Sequence, residues 1–257
     1  MVSKIKIKVS SDYPEYSECV EILEHKLSAV VEGEFILKVE PDGLILIDAQ
    51  NLKGPSLSID YTQGALDFRR RYGQKGGDLI VRAVGGPKTL QKKGTVLDLT
   101  FGLGRDAFIL ASQGWQVVGL ERSQVLFEMA SVALKKASEH LGTCEIAERI
   151  QIQNQDALLF LTNQDVLWDV IAFDPMFPLL KKKSLPKKEM QVLHKLISAP
   201  ENESESRGVA SLAYGRARRL VIKRPLQAAR LIDKLEPSVV FKSGSTRFDV
   251  YVNEGAS

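Results

Sequence analysis

The spacing of apolar and polar positions changes character near residue 94. Before that point, residues 4–9 alternate charged and apolar side chains, with Ile5, Ile7 and Val9 on one face, the period-two pattern of a half-buried strand. Residues 16–30 carry Val20, Leu23, Leu27 and Val30 at helical spacing. Apolar runs at 35–39 and 44–47 flank Pro41-Asp42-Gly43 and predict a hairpin; residues 57–61 predict another strand. Residues 62–93 are rich in Gly, Arg and Lys, with helical stretches at 65–72 and 79–84, and read as a connecting segment.

From Gly94 onward, short apolar runs alternate with longer helical ones. Strands are expected at 96–99, 116–120, 150–152, 168–173 and 219–223, and helices at 106–113 and 124–140. Strands separated by helices imply βαβ units and a mostly parallel twisted sheet. Residues 239–243 and 247–252 around Gly244-Ser245-Thr246 predict a terminal antiparallel hairpin. The expected class is therefore α/β and Rossmann-like, organised as a small N-terminal α+β unit (1–61), a connecting helical segment (62–93) and a main domain (94–257). Residues 201–206, polar and acidic, predict a mobile loop.

Composition narrows the function classes. The 257 residues are 44% hydrophobic and 26% charged, ordinary for a folded domain. No apolar run approaches a membrane span, and Met1-Val2-Ser3-Lys4 leads into no signal-like apolar region, so a cytoplasmic protein is expected. Two distant cysteines, Cys19 and Cys144, and three scattered histidines suggest no metal. The net charge of +3 is modest, but basic residues cluster at 69–71, 181–188 and 216–224, which points to a polyanionic substrate.

The chemistry concentrates at strand ends. Asp98-Leu99-Thr100-Phe101-Gly102-Leu103-Gly104 takes a strand through a glycine turn into a helix starting near Arg105-Asp106, a layout that brings backbone close to a nucleotide. Gly102 to Ala107 also fits the dinucleotide pattern G-x-G-x-x-A, so an NAD(P)-dependent reductase is a competing reading. Glu121 ends the next strand 17 residues after Gly104, where a carboxylate can accept from both ribose hydroxyls. Asp156-Ala157 after the third strand suits either an adenine contact or a helix N-cap. Charge separates the candidate ligands. Asp98, Asp106 and Asp174 around one pocket suit the sulfonium of S-adenosylmethionine better than a pyrophosphate, and Arg105 is placed to meet the donor's carboxylate.

The fourth strand runs into Asp174-Pro175-Met176-Phe177-Pro178. Proline breaks the strand and leaves the Asp174 carboxylate at the sheet's C-terminal edge. Acceptors there can orient the amino group of a nucleobase, while Phe177 stacks on the extruded base. A non-catalytic RNA-binding module with the same fold is the third reading.

These motifs also carry a family likeness. Leu103-Gly104-Arg105-Asp106-Ala107-Phe108, Leu120-Glu121-Arg122-Ser123, Phe173 through Pro178, Lys187-Lys188-Glu189-Met190, Val221-Ile222-Lys223-Arg224-Pro225 and Arg247-Phe248-Asp249-Val250-Tyr251 resemble the ribosomal RNA small subunit methyltransferase J family, from about Ile59 to the C-terminus. The resemblance implies a class I methyltransferase fold and methylation of a guanosine N2 in 16S ribosomal RNA, or in the small subunit containing it, with S-adenosylmethionine as donor. It implies donor contacts at Arg105, Asp106, Glu121, Arg122, Asp156, Ala157 and Asp174, beside Gly102 and Gly104, which the turn itself offers to the donor, and beside the catalytic roles that the pentapeptide gives Asp174 and Phe177. Lys181–Lys183 and Lys187–Lys188 would then meet RNA phosphates. Thr100-Phe101 depart from the small residues that the family pattern carries before Gly-Leu-Gly, and Asp156-Ala157 from its small polar residues at the third-strand site.

Overall fold

A computed structural model describes residues 6–28, 34–73, 77–85, 94–175, 188–197, 203–253 and 255. Two sheets form its frame. The smaller has the order β1 (Ile7–Ser10), β2 (Phe35–Glu40), β3 (Gly43–Asp48) and β4 (Ser56–Ser58), with β1 and β2 parallel and the other pairs antiparallel. Alternation decides its faces: Ile7, Val9, Phe35, Leu37, Val39, Leu44, Leu46 and Leu57 all point inward. Glu40 pairs with Gly43, so Pro41-Asp42 form the two-residue hairpin turn. Helix α1 (Ser17–Leu27) packs against β1.

Helices α2 (Gly64–Tyr72) and α3 (Leu79–Val84) lead into the larger sheet. Its elements, in chain order, are β5 (Thr95–Asp98), α4 (Arg105–Ser112), β6 (Gln116–Leu120), α5 (Gln124–Glu139), α6 (Cys144–Ala147), β7 (Ile150–Gln153), α7 (Ala157–Asn163), β8 (Trp168–Phe173), α8 (Lys188–Leu196), α9 (Glu203–Gly215), β9 (Ala217–Pro225), β10 (Val239–Ser243) and β11 (Thr246–Val252). The spatial order is β10-β11-β9-β8-β5-β6-β7, with only the β9–β11 and β10–β11 pairs antiparallel. The chain moves outward in opposite directions from β5, through β6 on one side and β8 on the other. The crevice beyond their C-terminal ends is where open α/β sheets place ligands.

Helix α7 packs with α9 and supplies one face of the sheet with Phe160, Leu161, Val209, Ala210 and Ala213. On the other face α3 packs on β9, β10 and β11, and α4 on β6. The segment expected only to connect thus helps cover the sheet. Strand β3 packs on α5, and α8 packs on β3 and β4, so the small sheet shares one apolar cluster with α3, α4 and α5.

Residues 203–206, expected as part of a mobile loop, instead open α9. Ser206 is buried, and Glu203 and Glu205 lie in the first turn, where the helix dipole favours acids. No described helix is long and apolar enough to cross a membrane.

Because both sheets share one core, Leu46→Ala in the small sheet should lower the stability of the whole chain by about 2–5 kcal/mol. Denaturant unfolding followed by far-UV circular dichroism and by tryptophan fluorescence, with Trp115 buried in the larger unit, is expected to give one coincident transition. A separate early phase would show that the small sheet melts alone.

Candidate active site

A cavity of about 360 Å³ lies at the C-terminal ends of β5, β6 and β8, within the usual size range of small-molecule sites. Its floor is the turn after β5. The Thr100 N–H donates to Asp98 Oδ1 at 3.0 Å and bends the chain out of the strand. Gly102 (φ +54°) and Gly104 (φ +63°) then take left-handed conformations that disfavour a side chain. At Gly104 a Cβ would overlap the Tyr61 hydroxyl and the Phe101 ring. Tyr61 comes from the N-terminal unit, donates to the Leu103 carbonyl at 3.2 Å and stacks on Phe108 with ring centroids 4.9 Å apart.

The departures at Thr100 and Phe101 have local reasons. Thr100 Oγ1 accepts from the Asp174 N–H at 2.8 Å and ties the β5 turn to the β8 turn. The Phe101 ring fills the space above Gly119, where a Cβ would collide with it.

Glu121 is buried at the end of β6. Its Oε2 accepts from the Gly102 N–H at 2.8 Å and its Oε1 from the Ser123 N–H at 2.7 Å, so it clamps the glycine turn to the second strand. Burial pushes its carboxyl up, against those two backbone bonds. Arg122 lines the same cavity. Asp156 caps α7: its Oδ1 accepts from the N–H groups of Leu158 and Leu159 at 2.9 and 3.1 Å. Asp156 and Ala157 nevertheless border the cavity, so the cap and a ligand contact are compatible.

The three acids do converge. Asp98 is buried; that burial, with Asp106 and Asp174 adding to it, pushes its carboxyl up to about 7. Burial acts the same way on Asp106, but Lys223 and Arg69 outweigh it and hold that group below the usual carboxylate range. Burial raises Asp174, with Lys223 opposing. Lys223 Nζ lies 2.6 Å from Asp174 Oδ2 and 3.4 Å from Asp106 Oδ2. Arg69 Nη2 lies 3.0 Å from Asp106 Oδ1, and Arg69 Nε 2.5 Å from Asp78 Oδ2.

Several expectations change. Asp174 is not a free carboxylate at the sheet edge, because Lys223 on the neighbouring strand neutralises one of its oxygens. Arg105 reaches the cavity wall and pairs with Glu189 of α8. Two of the three basic clusters serve the fold more than a surface. Arg70 and Arg71 share Asp67, Arg219 donates to the Ala83 carbonyl and Arg224 to the Ala229 carbonyl. Phe177, Met176, Pro178, Lys181–Lys183 and Lys187 lie outside the described residues.

Lys223 and Arg69 are cavity residues to which the sequence reading gave no individual role, although Lys223 stands in one of the family motifs and both lie in basic clusters. Signals for both existed. Leu66 is the buried position of α2, and Arg69, three residues on, shares its face. Phe173 pairs with Ile222, so the parallel register sets Lys223 beside Asp174.

The cavity suits a cationic nucleoside. Among the described residues, its wall carries six carboxylates (Asp98, Asp106, Glu121, Asp156, Asp174, Glu205) against four basic side chains (Arg69, Arg105, Arg122, Lys223). That sign is wrong for a pyrophosphate and right for a sulfonium, and the glycine turn leaves backbone open to close approach.

Comparison with known proteins gives the same answer. The profile of a SAM-dependent methyltransferase family matches residues 22–253. The chain is 38% identical over 202 residues to the ribosomal RNA small subunit methyltransferase J of Hydrogenovibrio crunogenus, covering 77% of this chain and 70% of that one. It is 36% identical over 226 residues to the protein of the same name from Coxiella burnetii, covering 87% and 85%. A crystal structure of a SAM-dependent methyltransferase from Neisseria gonorrhoeae superposes with a TM-score of 0.71 at 27% identity, covering 98% of this chain and 97% of that one.

Two measurements test the site. A cation beside Asp98 favours its ionised form, so binding should release a proton and tighten as pH rises through about 7. Calorimetry with S-adenosylmethionine at pH 6 and pH 8 is expected to show roughly tenfold tighter binding at the higher pH, a difference that Asp98→Asn removes. Gly104→Ala should weaken donor binding at least about tenfold and lower the melting temperature, through overlap with Tyr61 and Phe101; unchanged affinity would show that the turn is not the donor cradle.

Proposed function

The chain belongs to the ribosomal RNA small subunit methyltransferase J family of S-adenosylmethionine-dependent enzymes, and from that premise we propose that it methylates the exocyclic N2 of one guanosine in 16S ribosomal RNA. The observation that carries this reading is Asp174, a carboxylate at the rim of an acidic donor cavity, held by a strand-end proline turn and a lysine.

S-adenosylmethionine supplies an electrophilic methyl on a sulfonium. The residues assigned to hold it are Gly102, Gly104, Arg105 and Asp106 along the turn, Glu121 and Arg122 at the ribose, and Asp156 with Ala157 near the adenine. A guanine amino group is a weak nucleophile, because its lone pair is delocalised into the ring. Asp174 accepts a hydrogen bond from that amine, favours a pyramidal nitrogen and turns the lone pair toward the donor pocket; as the nitrogen–methyl bond forms, the methyl–sulfur bond would break with its electron pair left on sulfur, and the surplus amine proton would pass to Asp174 and on to water. No covalent enzyme intermediate is required; positioning and electrostatics supply the rate. Phe177 is assigned to stack on the base, and Lys181–Lys183 to contact flanking phosphates, which gives salt-dependent affinity without sequence information. The substrate is the RNA or the small ribosomal subunit, which places the reaction in the cytoplasm.

Labelled-methyl transfer tests the reading. Small subunits or 16S RNA lacking the modification should gain label at one guanosine, located by mass spectrometry of nuclease fragments, and Asp174→Ala should reduce kcat at least about a hundredfold. No incorporation into either substrate would overturn the proposal, and full activity of D174A would remove the amine-orienting role.

A further inference from the structure

A chain of alternating charges runs through the site: Asp78 at the N-cap of α3, Arg69 on α2, Asp106 in the first turn of α4, Lys223 on β9 and Asp174 after β8. It crosses five elements and ends on the carboxylate assigned to the amine. Lys223 sits at its junction. Its Nζ lies over the Phe248 ring, 6.0 Å from the centroid, and Phe248 is its register partner on β11. The ammonium is thereby held on the face of β9 toward α4. Its bond goes to one oxygen of Asp174, Oδ2, while the backbone N–H of Asp174 is fixed on Thr100. Oδ1 takes no hydrogen bond from the described residues.

Resting on the methyltransferase reading above, we infer that Lys223 is the positioning residue of the reaction: it orients and charges Asp174 through Oδ2 so that Oδ1 faces the acceptor amine, and Arg69 supports it by holding Asp106. The groups facing Asp174 explain why such a residue is needed. Asp98 at the end of β5 and Asp106 on α4 are its acidic neighbours, and desolvation adds to their effect. Lys223 is the cation in direct contact with Asp174 among the described residues. Without it, the Asp174 carboxyl would be pushed further up, and in its protonated form an oxygen that should accept from the amine would donate instead. Arg69 acts one step back: by neutralising Asp106 through Oδ1, it leaves Lys223 directed at Asp174.

The sign of the pH effect follows. Activity needs ionised Asp174, so it is lost as pH falls through that group's pKa, and loss of Lys223 moves this acid limb to higher pH. An opposite charge in direct contact changes a carboxylate pKa by about one to three pH units.

The test uses the full chain with Lys223→Met, Lys223→Arg and Arg69→Met, each checked for folding by near-ultraviolet circular dichroism. Carbon-13 NMR of the Asp174 carboxyl, assigned by difference from Asp174→Asn, reads the group without substrate. K223M should raise its titration midpoint by at least about one pH unit, K223R should restore it and R69M should raise it less. In methyl-transfer assays K223M should lower kcat more than it raises the KM for RNA, with its acid limb moved upward in parallel. A wild-type Asp174 midpoint in folded K223M would overturn the inference, as would a kcat defect in K223M that K223R shares with an unmoved pH profile. If K223M does not fold, the Asp174 midpoint of R69M decides, and no upward movement there overturns the inference. Failure of the wild type to methylate RNA would instead strike the functional reading, and the NMR titration separates the two.

Discussion

Three carboxylates converge at one end of a parallel sheet, Asp98 buried and Asp106 and Asp174 opening on the cavity, and the surrounding charges are arranged around the cost of bringing them together. Asp98, Asp106 and Asp174 come from different strand ends and a helix start, and they meet because β5 and β8 are neighbours. Mutual repulsion and lost hydration push all three carboxyls up. The protein answers with unequal environments. Asp98 is left close to neutrality, Asp106 is held ionised by Lys223 and Arg69, and Asp174 has one cation bound to one oxygen. That inequality gives each acid a separate use.

The N-terminal unit enters the same problem through Tyr61. Its ring stacks on Phe108 of α4 and its hydroxyl bonds the Leu103 carbonyl, so the small sheet braces the turn that must stay open to the donor. Helices α2 and α3 contribute Arg69 and Asp78 to the charge network. The first ninety or so residues therefore support the site as well as preceding it.

The sheet was legible from the chain alone. Strands β6, β8 and β10 fall where the apolar runs placed them, since short Val-, Ile- and Leu-rich segments between turn signals leave little freedom in phase. The convergence of Asp98, Glu121 and Asp174 on one cavity was legible too, because they sit at strand ends that periodicity locates. What stayed hidden was pairing at a distance. Lys223 and Asp174 are separated by 49 residues, and Arg69 and Asp106 by 37, so both basic residues read as members of charged surface blocks. Glu203–Ser206 read as loop because its polarity masks one buried serine.

The acidity of the cavity bears on turnover as well as on binding. A wall with more carboxylates than basic groups stabilises a cation, and that stabilisation falls when the cation becomes a neutral thioether. The carboxylates then repel one another more, and Asp98, with its carboxyl near 7, can take up a proton at little cost. The same inequality among the acids that suits the pocket to a sulfonium thus loosens its hold on the demethylated product. Lys223 limits how far this swing reaches. Its ammonium is bound to Asp174 Oδ2, so a change of charge at Asp98 is met at Asp174 by a fixed cation in direct contact.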